Sequence, residues 1–360
     1  MLPYLKFWIV IVVLSVLVRY FQNKTPFRLF FIITIFIVMS LFGGLRNEMV
    51  GTDAPRYAAF FMSTSMIASV KDSDLETGLN VVGLVAHFFS DNYISYFTIA
   101  SAITAFCLLR GVLNLAFCFP ICMIALLALT PFTISFNMMR QGVAIAIVLC
   151  SLESLINKSL WRFALYIVIA ALFHKSALFM LPFYFVLNGW HPKTSQTAFY
   201  ILITSLLAGL LIPVLIDNAG LFSERYEHFE ENEAEEVGSF STFCMCLLLP
   251  VFFLGKNLIT NNKQKYMTFF HMYIIACMIA AVCVYLGHAG SGGRRLCMYF
   301  SLGVIPMWAM IYESIKDKTN RLVFVAGFAG MSLVYYYFVT KAFGDLSPYT
   351  LNPIIHEWFR

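Results

Sequence analysis

Long apolar runs separated by short polar stretches fill most of the chain. They fall at about 2–21, 29–45, 93–109, 112–131, 134–156, 161–187, 198–217, 239–255, 266–287, 296–313 and 321–340. A helix needs roughly 20 consecutive apolar residues to cross the hydrocarbon core of a bilayer. The pattern therefore predicts an all-α polytopic membrane protein, with a single integral membrane domain over residues 1–360.

The run at 161–187 is long for one span and carries His174, Lys175 and Ser176 in its middle. A single helix would be about 40 Å long and would hold a cation near the bilayer centre, which is costly. Two short helices that meet at these three residues are preferred, giving about twelve spans (roughly 10–12) in all. With the N-terminus outside, thirteen basic and only three acidic residues then lie on the cytoplasmic side, as the positive-inside rule favours.

Two loops on the predicted outer side stand apart from the apolar runs. Residues 46–92 are half apolar, and Ala58–Met66 and Val81–Phe89 are suited to short interfacial or re-entrant helices. Residues 218–238 form an acidic loop that is rich in glutamate.

Composition excludes several protein classes. The chain is 60% hydrophobic and 12% charged, whereas soluble domains are about 45–50% apolar and about 25% charged. A soluble enzyme, a disordered protein and a disulfide-stapled secreted domain are therefore excluded. The net charge of +5 reflects membrane topology rather than nucleic-acid binding, and the nine cysteines are interpreted as small apolar core residues.

Ionisable residues at a membrane edge are candidates for function because a partner must offset their desolvation. Four groups meet this criterion at the predicted outer face: Arg46, Glu48, Asp53, Arg56 and Tyr57; Arg140 and Gln141; His174; and Arg294, Arg295 and Tyr299. Each group also has a simpler interpretation as a helix-end ion pair, a snorkelling arginine or a helix-end hydrogen bond. Five arginines from distant parts of the chain favour a cage for phosphate or pyrophosphate. A histidine at this face suits a general base at neutral pH, and no metal site is predicted.

Short motifs occur in order along the chain. They are Gly44-Leu45-Arg46 with Val50-Gly51-Thr52-Asp53 and Tyr57, then Arg140-Gln141-Gly142-Val143-Ala144, residues 170–178 around His174, Arg295 with Tyr299-Phe300 and Pro306, and Ser347-Pro348-Tyr349. Together they resemble the motifs of the EpsG/Wzy-like exopolysaccharide and O-antigen polymerases. Arg294, which doubles the late arginine, and the glutamate-rich stretch 224–236 depart from the family pattern.

The resemblance implies a glycosyltransferase of the bacterial inner membrane. Such an enzyme joins oligosaccharide repeat units, carried on undecaprenyl pyrophosphate, at the periplasmic face. The resemblance also implies a GT-C-like helical scaffold and a metal-independent, inverting reaction that needs no cofactor. A flippase and a chain-length regulator of the same pathway are the further partners that it implies.

The residues themselves predict how the roles are divided. The donor pyrophosphate is expected to bind Arg46, Arg140, and Arg294 or Arg295. His174 is expected to remove the proton from the acceptor hydroxyl, with Asp53 as its orienting partner or as the alternative base. Further substrate contacts are expected from Glu48, Arg56, Tyr57, Gln141 and Tyr299.

Other functions are compatible with a charged membrane edge. A flippase or other transporter of lipid-linked oligosaccharides would require ionisable residues near the midplane, whereas these cluster at one face. A membrane O-acyltransferase receives its acyl donor from the cytoplasm, which disfavours an outward-facing His174. A scaffold subunit gives no reason for five arginines at one face.

Overall fold

The computed structural model describes residues 1–63, 76–188, 202–203, 206, 232–287 and 294–358, without the side chains of 232–237, 294 and 356–358. These residues are mainly helical. They divide into two compact units, one formed by Met1–Leu178 with Thr319–Arg360 and the other by Phe179–Lys318.

The helices of the described residues are named in chain order. They are α1 (Leu2–Tyr20), α2 (Thr25–Gly44), α3 (Ala54–Ser63), α4 (Thr77–Phe89), α5 (Tyr93–Leu115), α6 (Phe119–Leu129), α7 (Pro131–Ile134), α8 (Met139–Ile156), α9 (Leu160–Ala171), α10 (Met180–Asn188), α11 (Asn232–Gly255), α12 (Lys263–Tyr285), α13 (Cys297–Ser301), α14 (Val304–Ser314), α15 (Lys318–Ala342) and α16 (Pro353–Trp358). Two 3-10 turns, Lys175–Phe179 and Arg294–Leu296, precede α10 and α13.

Among the described residues, seven helices are long and apolar enough to cross a membrane: α1, α2, α5, α8, α11 over Gly238–Gly255, α12 and α15. Shorter apolar helices accompany them, namely α4, α6 and α9. The prediction of an all-α polytopic membrane protein is confirmed. The total of about twelve spans stays a prediction. The run 198–217 lies outside the described residues except for 202–203 and 206, and most of the acidic loop 218–238 lies outside them as well.

Helix α8 is the most buried helix among the candidate spans. Of its apolar window, 83% is buried, against 33% for α1 and 28% for α2. It packs against α5 and α9. The approach of α5 is close, because a Cβ on Gly111 would lie 2.6 Å from Leu149 Cγ and 3.0 Å from the Leu149 carbonyl carbon. Small residues at such contacts let helix backbones approach within a membrane.

The predicted break in the run 161–187 is confirmed. Helix α9 ends at Ala171, and a turn and a 3-10 segment separate it from α10. The N–H of His174 donates to the carbonyl of Ala170 at 3.0 Å. The histidine therefore lies just beyond the last turn of a helix instead of within a continuous span.

Two short helices, α3 and α4, lie within residues 46–92, and each begins four residues before the predicted segments Ala58–Met66 and Val81–Phe89. Their interfacial or re-entrant placement stays a prediction. Both pack against α5. Phe61 of α3 stacks on Tyr96 of α5, with ring centroids 5.1 Å apart, and on His87 of α4 at 4.0 Å. Burial of these rings holds the two helices against the longer one.

Two runs that were predicted as single spans are interrupted. In the run 112–131, Ala116 has a left-handed backbone (φ 56°) and Pro120 lies in the first turn of α6. Proline can begin a helix but cannot continue one, so α6 is a separate helix. In the run 296–313, a turn at Gly303 separates α13 from α14.

In the second unit, α12 packs against α10, α11, α13 and α14. The ring of Phe252 lies 5.2 Å from that of Tyr273 and 5.0 Å from that of Trp308. The hydroxyls of Tyr266 and Tyr273 donate to backbone carbonyls of α11 at 2.7 and 2.8 Å. These bonds satisfy the buried phenols and tie α12 to α11.

We expect Gly111→Ala to destabilise the protein because the added methyl group enters the α5–α8 contact, at a cost of about 1–3 kcal/mol. Thermal unfolding in detergent should give a Tm several degrees below that of the wild type. Gly327→Ala in α15 is the matched control, because nothing lies within 4 Å of its added Cβ. Equal Tm values for the two variants would contradict the close approach of α5 and α8.

Candidate functional site

Arg46, which follows α2, is buried at 1% exposure. Its guanidinium carbon lies 4.1 Å from the ring centroid of Phe97 and 4.7 Å from that of Phe136. Nη1 donates to the carbonyl of Gly43, and Nη2 donates to the carbonyl of Phe136 at 3.3 Å. Burial lowers the pKa of Arg46 to about 10, so the group stays charged at neutral pH. The two rings and two carbonyls offset its desolvation.

The segment after α15 pairs with the loop after α2. Arg46 and Leu351 form an isolated antiparallel bridge, and the N–H of Asn47 donates to the carbonyl of Thr350 at 2.8 Å. The first and last segments of the first unit are therefore joined through their backbones.

Tyr349, in the closing motif, reinforces this junction. Its hydroxyl donates to the carbonyl of Phe42 at 2.7 Å, and the two rings stack at 4.4 Å. The hydroxyl of Tyr4 donates to the carbonyl of Leu346 at 2.6 Å. Motifs about 300 residues apart in the sequence thus pack together at one end of the first unit.

Asp53 lies directly before α3, where Asn137 holds its backbone. The N–H of Asp53 donates to Asn137 Oδ1 at 2.7 Å, and the Asp53 side chain is half-buried. Glu48 is also half-buried, and its N–H donates to the Tyr93 hydroxyl at 3.3 Å. Arg56 is exposed. Asn137 therefore links the start of α3 to the loop that leads into α8.

Arg140, Glu76 and His174 form a contiguous polar group, here called the Arg–Glu–His cluster. Arg140 Nη1 lies 2.8 Å from Glu76 Oε2, and His174 Nδ1 lies 3.4 Å from Glu76 Oε1. Arg140 Nε also donates to the hydroxyl of Tyr57 at 3.3 Å. The side chains of Arg140, His174 and Glu76 are 29%, 22% and 13% exposed. The cluster is thus partly buried and still accessible.

Close helix packing brings the cluster together. Glu76 precedes α4, and two residues later the N–H of Gly78 donates to the carbonyl of Leu172 at 2.8 Å. A Cβ on Gly78 would lie 2.8 Å from Phe173 Cδ1. Only glycine permits this approach without displacement of the neighbouring ring, so the start of α4 lies against the end of α9, beside His174.

The partners of Glu76 control its ionisation. Burial by itself raises the pKa of a carboxyl group. In Glu76 the hydrogen bond with His174, together with the charge and the hydrogen bond of Arg140, outweighs burial and lowers the pKa to about 2. Burial raises the pKa of the Tyr57 hydroxyl. At neutral pH the site therefore contains a carboxylate and a protonated phenol.

The arrangement combines an anion-binding guanidinium with an imidazole that can accept a proton. Arginine binds phosphate groups through its planar fork of donors, and histidine is the commonest general base. Within the described ranges, no group of three or more His, Cys, Asp or Glu side chains is placed to hold a metal ion. Arg140 and His174 can thus bind an anion and accept a proton at one place in the first unit.

The family model of the EpsG family matches residues 28–351. The chain belongs to the EpsG family. Family membership suggests a polysaccharide polymerase. No curated protein and no solved structure matches the chain. The whole Arg–Glu–His cluster of this EpsG-family protein lies within the matched region.

The predicted site residues of the EpsG-family protein divide between the two units. Tyr57, Arg140 and His174 are brought together in the first unit, where Gln141 is buried one position beyond Arg140. Arg46 instead bonds to backbone carbonyls and packs between rings.

The late arginine motif lies in the second unit. Arg295, half-buried, belongs to the 3-10 turn Arg294–Leu296, and Tyr299 in α13 is fully buried. The side chain of Arg294 and the preceding residues 290–293 lie outside the described part of the chain.

Glu76 is the cluster residue that sequence analysis missed. It lies in a polar stretch, where a glutamate is ordinarily solvated, and no motif includes it. A signal was present, because Glu76 immediately precedes the apolar segment that forms α4. A carboxylate before a helix at a membrane edge interacts favourably with the helix N-terminus and is costly to leave unpaired.

Arg46→Lys should destabilise the protein, because an ammonium group cannot stack on two rings while donating in two directions. We expect a Tm several degrees lower in detergent. Arg56→Lys makes the same exchange at an exposed position and should leave the Tm unchanged. A normal Tm for Arg46→Lys combined with lost polysaccharide synthesis would instead indicate that Arg46 acts on the substrate.

The lowered pKa of Glu76 should make stability depend on pH. A carboxyl whose pKa is about 2 in the folded protein and about 4.3 when unfolded contributes stability above about pH 4, which is lost as the pH falls towards about 2. Between about pH 5 and pH 3, the wild-type Tm should therefore fall more steeply than that of Glu76→Gln. Glu48→Gln, outside the cluster, should keep the wild-type slope. Parallel curves for the wild type and Glu76→Gln would refute this coupling.

Proposed function

We propose that this EpsG-family protein is a glycosyltransferase that polymerises oligosaccharide repeat units. The units are carried on undecaprenyl pyrophosphate and are joined at the periplasmic face of the bacterial inner membrane. Membership of the family over residues 28–351 supports the reaction class. The observation that carries the chemistry is the contact of Arg140 and His174 with one carboxylate, at a partly exposed position.

In this proposal Arg140 binds the pyrophosphate of the donor. Its side chain is 29% exposed, and its bonds to Tyr57 and Glu76 use Nε and Nη1 of a group with five N–H donors. A guanidinium near the leaving oxygens stabilises the charge that develops on them. Arg46 is 1% exposed and offers no accessible surface to a pyrophosphate, so within the first unit the leaving group is assigned to Arg140.

His174 acts as the general base. The acceptor hydroxyl attacks the anomeric carbon of the donor, and the bond from that carbon to the pyrophosphate oxygen breaks. The electron pair leaves with the pyrophosphate, while the hydroxyl proton passes to His174. Attack opposite to the leaving group inverts the anomeric configuration. Asp53, half-buried and within electrostatic reach of Tyr57, remains the alternative base.

The remaining predicted residues are proposed as substrate contacts. In the first unit these are Glu48, Arg56, Tyr57 and Gln141, which hydrogen-bond or stack on sugars. In the second unit, the pyrophosphate contact of Arg295 or Arg294 stays a prediction of the sequence, and so does the sugar contact of Tyr299, whose side chain is fully buried in this structure. A flippase supplies the lipid-linked units, and a chain-length regulator of the same pathway is a further proposed partner.

The experiment is a polymerisation assay with the purified protein and synthetic undecaprenyl-pyrophosphate repeat units, with and without EDTA. The wild type should form polymer in both conditions. Arg140→Ala and His174→Ala should each reduce the rate by at least about 10²-fold, because they remove leaving-group stabilisation and the base. Products are read as a ladder of chain lengths on a gel.

Two matched substitutions control for nonspecific damage. Arg110→Ala removes an exposed arginine of α5, and Lys175→Ala removes the exposed neighbour of His174; both should polymerise at the wild-type rate. Movement of intact lipid-linked units across vesicle membranes, without formation of a glycosidic bond, would show that the protein is a transporter and contradict the polymerase proposal. Normal polymer from Arg140→Ala would contradict the proposed role of Arg140 in binding the pyrophosphate.

A further inference from the structure

We propose that Glu76 is the positioning residue of this site, orienting the base His174 through one carboxylate oxygen and the anion-binding Arg140 through the other. The inference rests on the proposed polymerase function and deepens it. It assigns a role to a residue that belongs to none of the recognised motifs. The positioning carboxylate acts through its two neighbours and does not itself touch the reacting atoms.

The contact with His174 selects which ring nitrogen takes part in the reaction. Oε1 of Glu76 lies 3.4 Å from Nδ1, so the carboxylate favours the tautomer with the hydrogen on Nδ1. In that tautomer Nε2 carries the lone pair and accepts the hydroxyl proton. The imidazolium that forms is then stabilised by the same carboxylate, as in other carboxylate–histidine pairs.

The contact with Arg140 uses the second oxygen of the same group. Oε2 of Glu76 lies 2.8 Å from Nη1 of Arg140. Nε of Arg140 donates a second hydrogen bond to the hydroxyl of Tyr57 at 3.3 Å. The base and the pyrophosphate-binding group are therefore held by one rigid carboxylate. Their separation cannot change without loss of a charge-assisted hydrogen bond, and this preorganises them for a single substrate geometry.

The two contacts also couple substrate binding to proton transfer. Arg140 keeps its contact with Glu76 while its remaining N–H donors bind the pyrophosphate. The pyrophosphate then shares the positive charge of the guanidinium with Glu76, so the carboxylate interacts more strongly with His174. The binding of the leaving group thereby favours the imidazolium at the moment when the acceptor loses its proton.

The charged and titratable groups recorded at the Arg–Glu–His cluster are Glu76 before α4, Arg140 of α8, Asp53 and Tyr57 at α3, and Tyr96 of α5, with Lys175 next to His174 in the chain. Within the described part of the chain, Glu76 is the carboxylate recorded in hydrogen-bond contact with the histidine. It is therefore the group to remove in a test.

The test is the pH dependence of polymerisation by Glu76→Gln. Removal of the negative charge takes away the partner of the imidazolium, so the acidic limb of the kcat profile should shift to lower pH by about one unit. The value of kcat should fall about ten-fold or more because the ring loses its orientation. The KM for the lipid-linked donor should rise by a smaller factor than kcat falls, since Arg140 keeps its charge and its bond to Tyr57 but loses the carboxylate contact that orients it. An acidic limb and a kcat equal to those of the wild type would overturn the inference.

Glu76→Asp provides the conservative variant. It keeps the charge on a side chain that is one methylene shorter, so the acidic limb should stay at the wild-type pH while kcat falls several-fold. If Glu76→Gln does not fold, as judged by gel filtration and Tm, Glu76→Asp still decides the matter. Wild-type kcat with this shortened side chain would overturn the positioning role.

Asp91→Asn is the matched control. Asp91 forms the same kind of contact with another histidine, its Oδ1 lying 2.8 Å from His87 Nδ1, and its side chain is 92% exposed. Because this pair lies outside the cluster, Asp91→Asn should reproduce the wild-type profile. A shift of the limb equal to that of Glu76→Gln would show that any nearby charge has the same effect, against the inference.

A measurement without turnover separates this inference from the proposed function. NMR of protein with nitrogen-labelled histidine in micelles should show the hydrogen of the neutral His174 ring mainly on Nδ1 in the wild type and no longer mainly on Nδ1 in Glu76→Gln. Failure of the wild type to polymerise, with this change of tautomer present, would refute the polymerase proposal and retain the Glu76–His174 coupling. Polymerisation by the wild type, with the same His174 tautomer and the same kcat profile in both proteins, would refute the inference alone.

Discussion

The buried guanidinium of Arg46 holds together the segments that carry the site. Removal of a charge from water costs about several kcal/mol of folding free energy, even after the protein relaxes around it, unless well-placed partners offset the cost. Here two carbonyls and the rings of Phe97 and Phe136 surround it. These partners belong to α2, α5 and the loop before α8, so the charge can be accommodated only if these three segments meet. Asn137, next to Phe136, then fixes Asp53 at the start of α3.

Arginines that look alike in the sequence have distinct environments in the first unit. Arg46 is buried and bonded to backbone, Arg56 is exposed, and Arg140 is partly exposed and paired with a carboxylate. Of these three, Arg140 combines partial exposure with a carboxylate partner. The contacts of Arg46 are structural, and its expected pyrophosphate role stays a prediction.

Much of the fold could be predicted from periodicity and length. The apolar runs correctly indicated long helices, and the cost of Lys175 in a bilayer correctly placed a break beside His174. The runs 112–131 and 296–313 were less predictable. The chain is apolar on both sides of each turn, and the helices that follow are buried, so the local signals at Ala116 and Gly303 were too weak to outweigh this composition.

The sequence by itself determined the class of the protein and the candidate residues, because hydrophobicity, charge scarcity and motif order are properties of the linear chain. Arg140, Tyr57 and His174 were all singled out in this way. The tertiary structure decided which of them touch and added Glu76, whose two oxygens join Arg140 to His174. That decision depends on the contact of α4 with the end of α9 at Gly78. Contacts between residues about 100 positions apart leave no periodic trace in the sequence, so packing alone reveals them.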